Sequence, residues 1–233
     1  MSRLSRRQWM AGAGALGAAM SEPAVGNGQL VYRRTDWKAE EFQELLHKTV
    51  RIKQVFEVTN LNEGKFLNNM KNSLNGFEFG FGVPSKQIQI VAALHGPPNM
   101  VNFDDTVWAK YRIGEWLNVT DPETGHPAVR NIFYPSKFSK APEATENPSD
   151  EKSGFQDKSI QGLQRRGAKF LSCHTATEEQ ARILIGRLKL TEDPETIVKD
   201  MQAHILPNVT IVPAMVASLA FLQTDGRYSY ITV

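Results

Sequence analysis

The sequence predicts an α/β fold in which a mostly parallel sheet is covered by helices on both faces. Short segments rich in apolar and β-branched residues alternate along the chain with segments whose apolar residues recur at helical spacing. One of the strand-like segments, IQIVAALHG (88–96), is continuously apolar, which is typical of a strand covered on both sides. This alternation indicates a parallel sheet, because parallel strands are joined by helical crossovers.

The first part of the chain predicts two strands and three helices. DWKAEEFQELLHK (36–48) carries apolar residues on one helical face, and VRIKQVFEVT (50–59) alternates as a strand does. NEGKFLNNMKNSLNGF (62–77) again has helical spacing, and Gly76 fits a C-terminal cap. After the second strand, TVWAKYRIGEWL (106–117) predicts the third helix.

Residues 118–158 interrupt this alternation, because they are rich in proline and have no sustained period. A loop of this length in a compact domain is a functional lid, an interface arm or a disordered insert. The composition of 140–152 predicts disorder. The first half of the insert carries enough apolar surface to dock, from Val129, Ile132, Phe133, Tyr134 and Phe138.

The last part of the chain returns to regular alternation. Apolar spacing predicts helices over 159–167, 178–189, 194–204 and 215–226. Strands are predicted at AKFLSC (168–173), NVTIVPA (208–214) and YSYITV (228–233). Residues 27–233 therefore form a single predicted domain, with 118–158 as a lid or interface insert.

Residues 1–26 have the pattern of an export signal and linker. Arg6 and Arg7 precede a weakly apolar run of mostly Ala and Gly (11–20), with small-residue cleavage sites near its end. Paired arginines are typical of the twin-arginine route, although Trp9 stands at the usual phenylalanine position. The sequence therefore predicts export to the periplasm in the folded state. An ordinary secretory signal or a basic tail is the alternative.

Charge and composition narrow the function classes. Loss of residues 1–19 would remove three arginines and no acidic residue, changing the net charge from +2 to −1. The basic surface of a nucleic-acid-binding protein is therefore not expected. The apolar run of the signal is shorter than the ~20 residues that cross a bilayer, and no later stretch qualifies. A single cysteine cannot form a disulfide within the chain.

That cysteine, Cys173, ends a predicted strand. Ligands of open parallel sheets bind at the carboxyl ends of the strands, so Cys173 is the first candidate catalytic residue. Residues 175–178 (TATE) fit a capping box, and the helix that they begin would help to lower the pKa of the thiol. The alternative is that Cys173 is a buried packing residue, as free cysteines often are.

Other candidates surround the same predicted edge. His95 ends another strand and could assist Cys173, or it could be a hydrogen-bonded structural histidine. His174, Gly96 and Asp104 are candidate substrate-binding residues, although Asp104 also fits the N-cap of the following helix. We find no zinc-ligand spacing, G-x-G-x-x-G or Walker pattern, so the sequence predicts neither a metal site nor a cofactor.

The order of these elements resembles that of the DsrE-like superfamily. Five segments in this order carry the resemblance: VFEVT (55–59), LNNMKNSLN (67–75), IQIVAALHG (88–96), GLQRRGAKFLSCHTAT (162–177) and LPNVTIVPAMVASLAFLQTDGRYSYI (206–231). The resemblance covers about 50–117 and 159–233, and it excludes the signal and the insert.

The resemblance implies a three-layer α/β/α domain with a five-stranded parallel sheet, assembled as a homotrimer or homohexamer. It also implies sulfur relay, because the best-understood relatives pass a persulfide sulfur between cysteines of partner proteins. Cys173 would then carry the sulfur and His95 would assist. The alternative is a non-catalytic oligomeric accessory or binding subunit of a periplasmic complex, in which the insert docks a protein partner.

Overall fold

The computed structural model of this chain describes residues 28–136 and 145–233. It contains one five-stranded sheet, with β1 (Ile52–Val58), β2 (Ile88–Leu94), β3 (Lys169–Cys173), β4 (Val209–Val212) and β5 (Ser229–Thr232). The strand order is β4-β3-β2-β1-β5, and every neighbouring pair is parallel. The predicted α/β fold class is thus confirmed, and all five predicted strands are present.

Helices cover both faces of this sheet. They are α1 (Ala39–His47), α2 (Lys65–Asn75), α3 (Asp105–Lys110), α4 (Ile113–Trp116), α5 (Ile160–Arg165), α6 (His174–Leu188), α7 (Pro194–Ala203) and α8 (Met215–Thr224). The apolar faces of α1 and α8 pack on one side of the sheet, around Phe42, Leu46, Leu171 and Leu222. The helices α2 to α7 bury their apolar residues in a larger cluster on the other side. The result is a three-layer α/β/α arrangement.

The middle strand explains why the sequence is continuously apolar there. Every residue of β2 is at most 4% exposed, because β1 and β3 flank it and helices cover both of its faces. Ile90, Ala92 and Leu94 face the larger cluster, and Val91 and Ala93 face α1 and α8. Burial of each Val, Leu or Ile side chain contributes about 1.5–3 kcal/mol to folding.

Two predicted helices differ in detail. The helix predicted over 106–117 is two short helices, because Arg112 adopts a left-handed conformation (φ 52°, ψ 46°) between α3 and α4. This break lets Gly114 of α4 pack against the backbone of Ala128, where an added Cβ would lie 2.2 Å from the carbonyl oxygen. Helix α2 passes at Gly76 into a π-helical turn, and Gly76 keeps a helical φ of −60° instead of the left-handed value typical of a glycine cap.

The first half of the insert packs on its own domain. Phe133 is 8% exposed, and its ring centroid lies 6.0 Å from that of Trp108. Asn131 is buried and donates from Nδ2 to two backbone carbonyls that precede α3. The predicted apolar surface therefore docks, for the most part, within the chain itself. Its role as a lid or interface stays a prediction, and Phe138 lies outside the described residues.

The second half of the insert is described from residue 145 onward. Residues 145–152 form hydrogen-bonded turns where disorder was predicted, since the side chains of Asn147 and Asp150 accept backbone N–H groups two residues ahead. The predicted export signal lies outside the described residues. Within the described ranges, no helix has both the length and the apolar character that crossing a membrane requires.

Candidate functional site

Cys173 lies at the junction between β3 and α6. It is the N-cap of α6, and its Sγ accepts the backbone N–H of Ala176 at 3.4 Å. The same Sγ accepts the backbone N–H of Met215, the first residue of α8, at 3.3 Å. The amino ends of two helices therefore converge on one sulfur atom. Helix amino ends carry unpaired N–H groups and a partial positive charge, so both ends favour negative charge on that sulfur.

Burial opposes this effect and dominates it. Cys173 is 4% exposed, and burial raises the pKa of its thiol above the usual value. The backbone N–H groups of Ala176, Met215 and Thr175 lower the pKa, but by less, and the carboxylate of Glu179 raises it further. The thiol is therefore protonated at neutral pH. The helix start does help to lower the pKa, as predicted, but it does not determine the net direction.

The predicted capping box is wrong. Helix α6 begins at His174, so Thr175 and Glu178 lie inside the helix and Cys173 caps it. Thr175 donates its hydroxyl to the carbonyl of Pro213, and Glu178 is buried in an ion pair with Arg182. A sulfur cap was not expected, because the residues preferred at this position carry side-chain oxygens.

A buried amide network lies behind Cys173. Asn99 is fully buried, and its Oδ1 accepts the backbone N–H of Cys173 at 3.0 Å and the hydroxyl of Ser172 at 2.9 Å. Its Nδ2 donates to Thr177 Oγ1 at 3.0 Å and to Gln180 Oε1 at 3.3 Å. Asn99 belongs to the 3₁₀ helix Pro97–Asn102, so this network fixes the end of β3 and the start of α6 against the loop that follows β2.

His95 and Cys173 follow the last pair of two adjacent strands. That last pair in the β2–β3 register is Leu94–Ser172. Both residues come two positions after the pair Ala93–Leu171, which faces α1 and α8. The sheet therefore places the ends of both strands at one edge, and the pairing of His95 with Cys173 in catalysis stays a prediction.

The partner of His95 is Glu57, which the sequence analysis did not single out. Nε2 of His95 lies 3.0 Å from Oε1 of Glu57, a residue near the end of β1. The other carboxylate oxygen accepts the hydroxyl of Tyr230 on β5, and that hydroxyl oxygen in turn accepts the hydroxyl of Thr232 at 2.8 Å. A charged residue inside the run VFEV was the one available signal, and it was not sufficient because 38 residues separate Glu57 from His95.

Gly96 has a structural role in this edge. Its backbone (φ 63°, ψ −153°) lies in a region that is essentially restricted to glycine. Its carbonyl oxygen accepts a hydrogen bond from the amide of Gln180. Gly96 therefore allows the sharp turn between β2 and the 3₁₀ helix that carries Asn99, and it connects that turn to α6.

His174 is directed away from the pair formed by Cys173 and His95. Its ring stacks on that of Tyr32, with centroids 4.1 Å apart and an interplanar angle of 7°. Nδ1 accepts the amide of Gln202 at 2.9 Å. Burial lowers the pKa of His174, and the ring is 5% exposed, so packing accounts for its contacts. The predicted opposite orientation of His174 and Cys173 agrees with these contacts.

Asp104 also lies apart from this group. Its Oδ1 accepts the backbone N–H groups of Thr106 and Val107, so Asp104 is the N-cap of α3, the alternative considered for it. Its Oδ2 lies 3.2 Å from Nδ1 of His204, whose sequence neighbours gave no sign of a partner 100 residues away. Within the described residues, no hydrogen bond of this carboxylate reaches Cys173 or His95.

A separate groove of about 1280 Å³ lies at the opposite edge of the sheet. Lys48, Gln89 and Lys169 line it at the amino ends of β2 and β3, and residues 209–211 of the edge strand β4 form one wall. Cys173 ends the strand that Lys169 begins, so the groove and the sulfur are at opposite edges. Ligands of parallel sheets bind at the carboxyl edge, which favours the group around Cys173 as the candidate site.

No family model, curated protein or solved structure matches this chain. The DsrE-like resemblance therefore stays a prediction that rests on the quoted motifs, and the fold adds agreement in architecture only. In residues 28–136 and 145–233, no group of three or more His, Cys, Asp or Glu side chains could hold a metal ion.

Proposed function

We propose that this chain binds or relays sulfur through Cys173, as its DsrE-like resemblance implies, after export to the periplasm by the twin-arginine route. The observation that carries the proposal is the convergence of α6 and α8 on Sγ, through the N–H groups of Ala176 and Met215. An anionic sulfur, as a thiolate or a persulfide, would be stabilised by these two helix ends.

The proposed step is a transfer of sulfane sulfur. Sγ of Cys173 forms a bond to the terminal sulfur of a polysulfide, the sulfur–sulfur bond of the donor breaks, and its electron pair leaves with the shortened chain. The proton of the thiol also ends on the departing chain. The products are a cysteine persulfide and a polysulfide with one sulfur fewer, so no external oxidant or reductant is needed.

Burial gives this thiol a protected resting state. Cys173 is 4% exposed and its pKa is raised, so little thiolate is present before a donor arrives. Oxidation of cysteine follows thiolate character and exposure, so a protonated and buried thiol resists oxidation outside the cytoplasm. Reaction therefore requires that the residues over the sulfur open, or that a donor or partner displaces them.

Intact-protein mass spectrometry tests the proposal. The folded protein is incubated with polysulfide or with thiosulfate. Thiosulfate would transfer its sulfane sulfur and release sulfite. A gain of one sulfur atom is expected. Cys173→Ser should gain none, and a reductant should reverse the gain in the wild type. A folded wild-type protein that takes up no sulfur, while the unfolded chain does, would refute the proposal.

A second candidate function is that of a non-catalytic oligomeric accessory or binding subunit. The observation that favours it is α8, which carries apolar residues on its outer side as well as on the side that covers the sheet. Val216 and Phe221 on its outer side are 70% and 52% exposed. Helices that are apolar all round are typically buried, so a further copy or a partner chain would cover this side.

Sedimentation analysis separates the two functions. Phe221→Glu should dissociate a homotrimer or homohexamer into monomers if α8 forms the interface, and Val129→Glu tests the exposed part of the insert in the same way. A wild-type protein that is monomeric at all concentrations would remove the basis for the accessory role. Sulfur uptake by an oligomer would support the relay and the assembly together.

A further inference from the structure

The carboxylate of Glu57 connects three strands at the carboxyl edge of the sheet. It accepts from Nε2 of His95 beyond β2 and from the hydroxyl of Tyr230 on β5, and the hydroxyl of Thr232 donates to the Tyr230 oxygen at 2.8 Å. Glu57 is partly buried, with 15% of its side chain exposed, and that of His95 is 23% exposed. A carboxylate that accepts from two side chains at a partly buried site holds its partners in fixed orientations.

This contact determines which nitrogen of His95 is free. A carboxylate only accepts, so Nε2 carries the proton that is donated to Glu57. In the neutral ring, Nδ1 then holds a lone pair, and it has no hydrogen bond with any residue in 28–136 or 145–233. A histidine held in one tautomer by a carboxylate, with its other nitrogen unoccupied, is suited to accept a proton.

The free nitrogen belongs to the residue next to Cys173. His95 and Cys173 each follow the pair Leu94–Ser172, the last in the β2–β3 register. Cys173 packs in the cluster under α1 and α8, and side chains alternate along a strand, so His95 is expected on the same face as Ala93 of that cluster. Adjacent strands are about 4.8 Å apart, so we infer that the two side chains are neighbours. No direct hydrogen bond joins Sγ to His95, and Sγ accepts only backbone N–H groups among the described residues.

We propose that His95 accepts the proton of the Cys173 thiol, and that Glu57 is the positioning residue that orients the ring and stabilises it once protonated. This inference rests on the proposed sulfur chemistry of Cys173. As Sγ attacks the donor, the thiol proton moves to Nδ1 and the donor sulfur–sulfur bond breaks. The imidazolium then returns the proton to the departing sulfur, so the pair is restored.

The ionisable groups that contact the two residues are known from their hydrogen bonds and charges. Glu57 from β1 contacts the ring, Tyr230 from β5 donates to Glu57, and the carboxylate of Glu179 in α6 acts on the thiol. Helix α8 packs over this face and carries no ionisable side chain. Glu57 is therefore the main source of negative charge for a protonated His95.

Alkylation of Cys173 by iodoacetamide, measured against pH, tests the pair without any sulfur donor. A protonated thiol that reacts through a neighbouring base gives a rate that rises and then levels off as the imidazole loses its proton. At the pH of the wild-type plateau, His95→Gln should lower the alkylation rate by about tenfold or more. Its rate should then rise steadily with pH. Glu57→Gln should also lower the plateau rate, by several-fold, because the ring is no longer held in the orientation that leaves Nδ1 free.

Two further variants complete the test. His204→Gln breaks a comparable histidine–carboxylate contact, with Asp104, and should leave the curve unchanged. Tyr230→Phe removes one donor from Glu57 but keeps the contact of Glu57 with the ring, so it should lower the plateau rate by less than Glu57→Gln does. This variant replaces Glu57→Gln if that protein does not fold. Identical curves for the wild type, His95→Gln and Glu57→Gln would overturn the inference.

The outcome is separable from that of the proposed function. If Cys173 takes up no sulfur but the alkylation curve depends on Glu57, the relay fails and the proton-accepting pair stands. If sulfur uptake occurs and the alkylation curve is the same in His95→Gln and Glu57→Gln as in the wild type, the relay stands and the proton-accepting pair fails. A folded wild-type protein that is not alkylated at any pH, while the unfolded chain reacts, would also overturn the pair.

Discussion

The backbone N–H of Met215 donates to the sulfur of Cys173 at 3.3 Å, which joins the end of β3 to the first residue of α8. The same sulfur caps α6 through Ala176. Whatever its chemistry, Cys173 therefore has a structural role, since it satisfies one unpaired N–H at the start of each helix. The functional and the packing interpretations of this residue are compatible, and substitutions can separate them.

Cys173→Ala should lower the free energy of unfolding by about 1–2 kcal/mol, because it removes an N-cap acceptor and leaves a small cavity. Cys173→Ser should cost less, since the hydroxyl oxygen can accept the same N–H groups from Ala176 and Met215. Urea unfolding followed by circular dichroism measures both. Equal losses in the two variants would mean that the sulfur contributes only volume.

Asn99→Ala should be more damaging, by about 3 kcal/mol or more, because it leaves several buried polar groups without partners. These include the N–H of Cys173 and the hydroxyl of Ser172, both of which bond to Asn99 Oδ1. The measurement is again urea unfolding. The control is Asn72→Ala on the exposed side of α2, where a change within about 0.5 kcal/mol is expected. Equal effects of the two substitutions would contradict the proposed role of the network.

Most of the fold was predictable because its signals are local. Apolar runs and helical spacing identified five strands within one or two residues, β2 most clearly since both of its faces are buried. The start of α6 was misplaced because residues 175–178 match a standard capping box. The cap by Cys173 Sγ can be recognised only from the folded structure. The break at Arg112 occurs beside the close contact of Gly114 with Ala128 of the insert, which no local pattern records.

The candidate site was predictable only in part. Cys173 and His95 were found because each ends a strand, and parallel strands place their ends at one edge. Glu57 and Asn99 were missed because each acts through a contact that spans tens of residues, 38 from Glu57 to His95 and 74 from Asn99 to Cys173. Asp104 and His174 were included by proximity in sequence, and their side chains bond elsewhere.

Acid should destabilise the fold through His174. Burial lowers its pKa in the folded state, so the unfolded chain binds a proton first as the pH falls below about 6.5. Stability from this residue is present above that pH and is lost below it, with a slope of at most about 1.4 kcal/mol per pH unit. Urea unfolding between pH 7.5 and pH 5 should show this component in the wild type and not in His174→Gln. The exposed His126, changed to Gln, is the matched control and should keep the wild-type slope.

A pair of glycine substitutions tests whether the turn after His95 depends on its backbone. Gly96→Ala should destabilise the protein by about 1–3 kcal/mol, because its conformation (φ 63°, ψ −153°) is one that alanine avoids. No atom lies within 4 Å of an added Cβ there, so the cost is conformational and not steric. Gly186→Ala has equal space, but it lies in the exposed last turn of α6, where alanine should stabilise by about 0.5–1 kcal/mol. Opposite signs in urea unfolding are therefore expected. A loss at Gly186, or no loss at Gly96, would mean that this turn is not held in the conformation that brings Asn99 to Cys173.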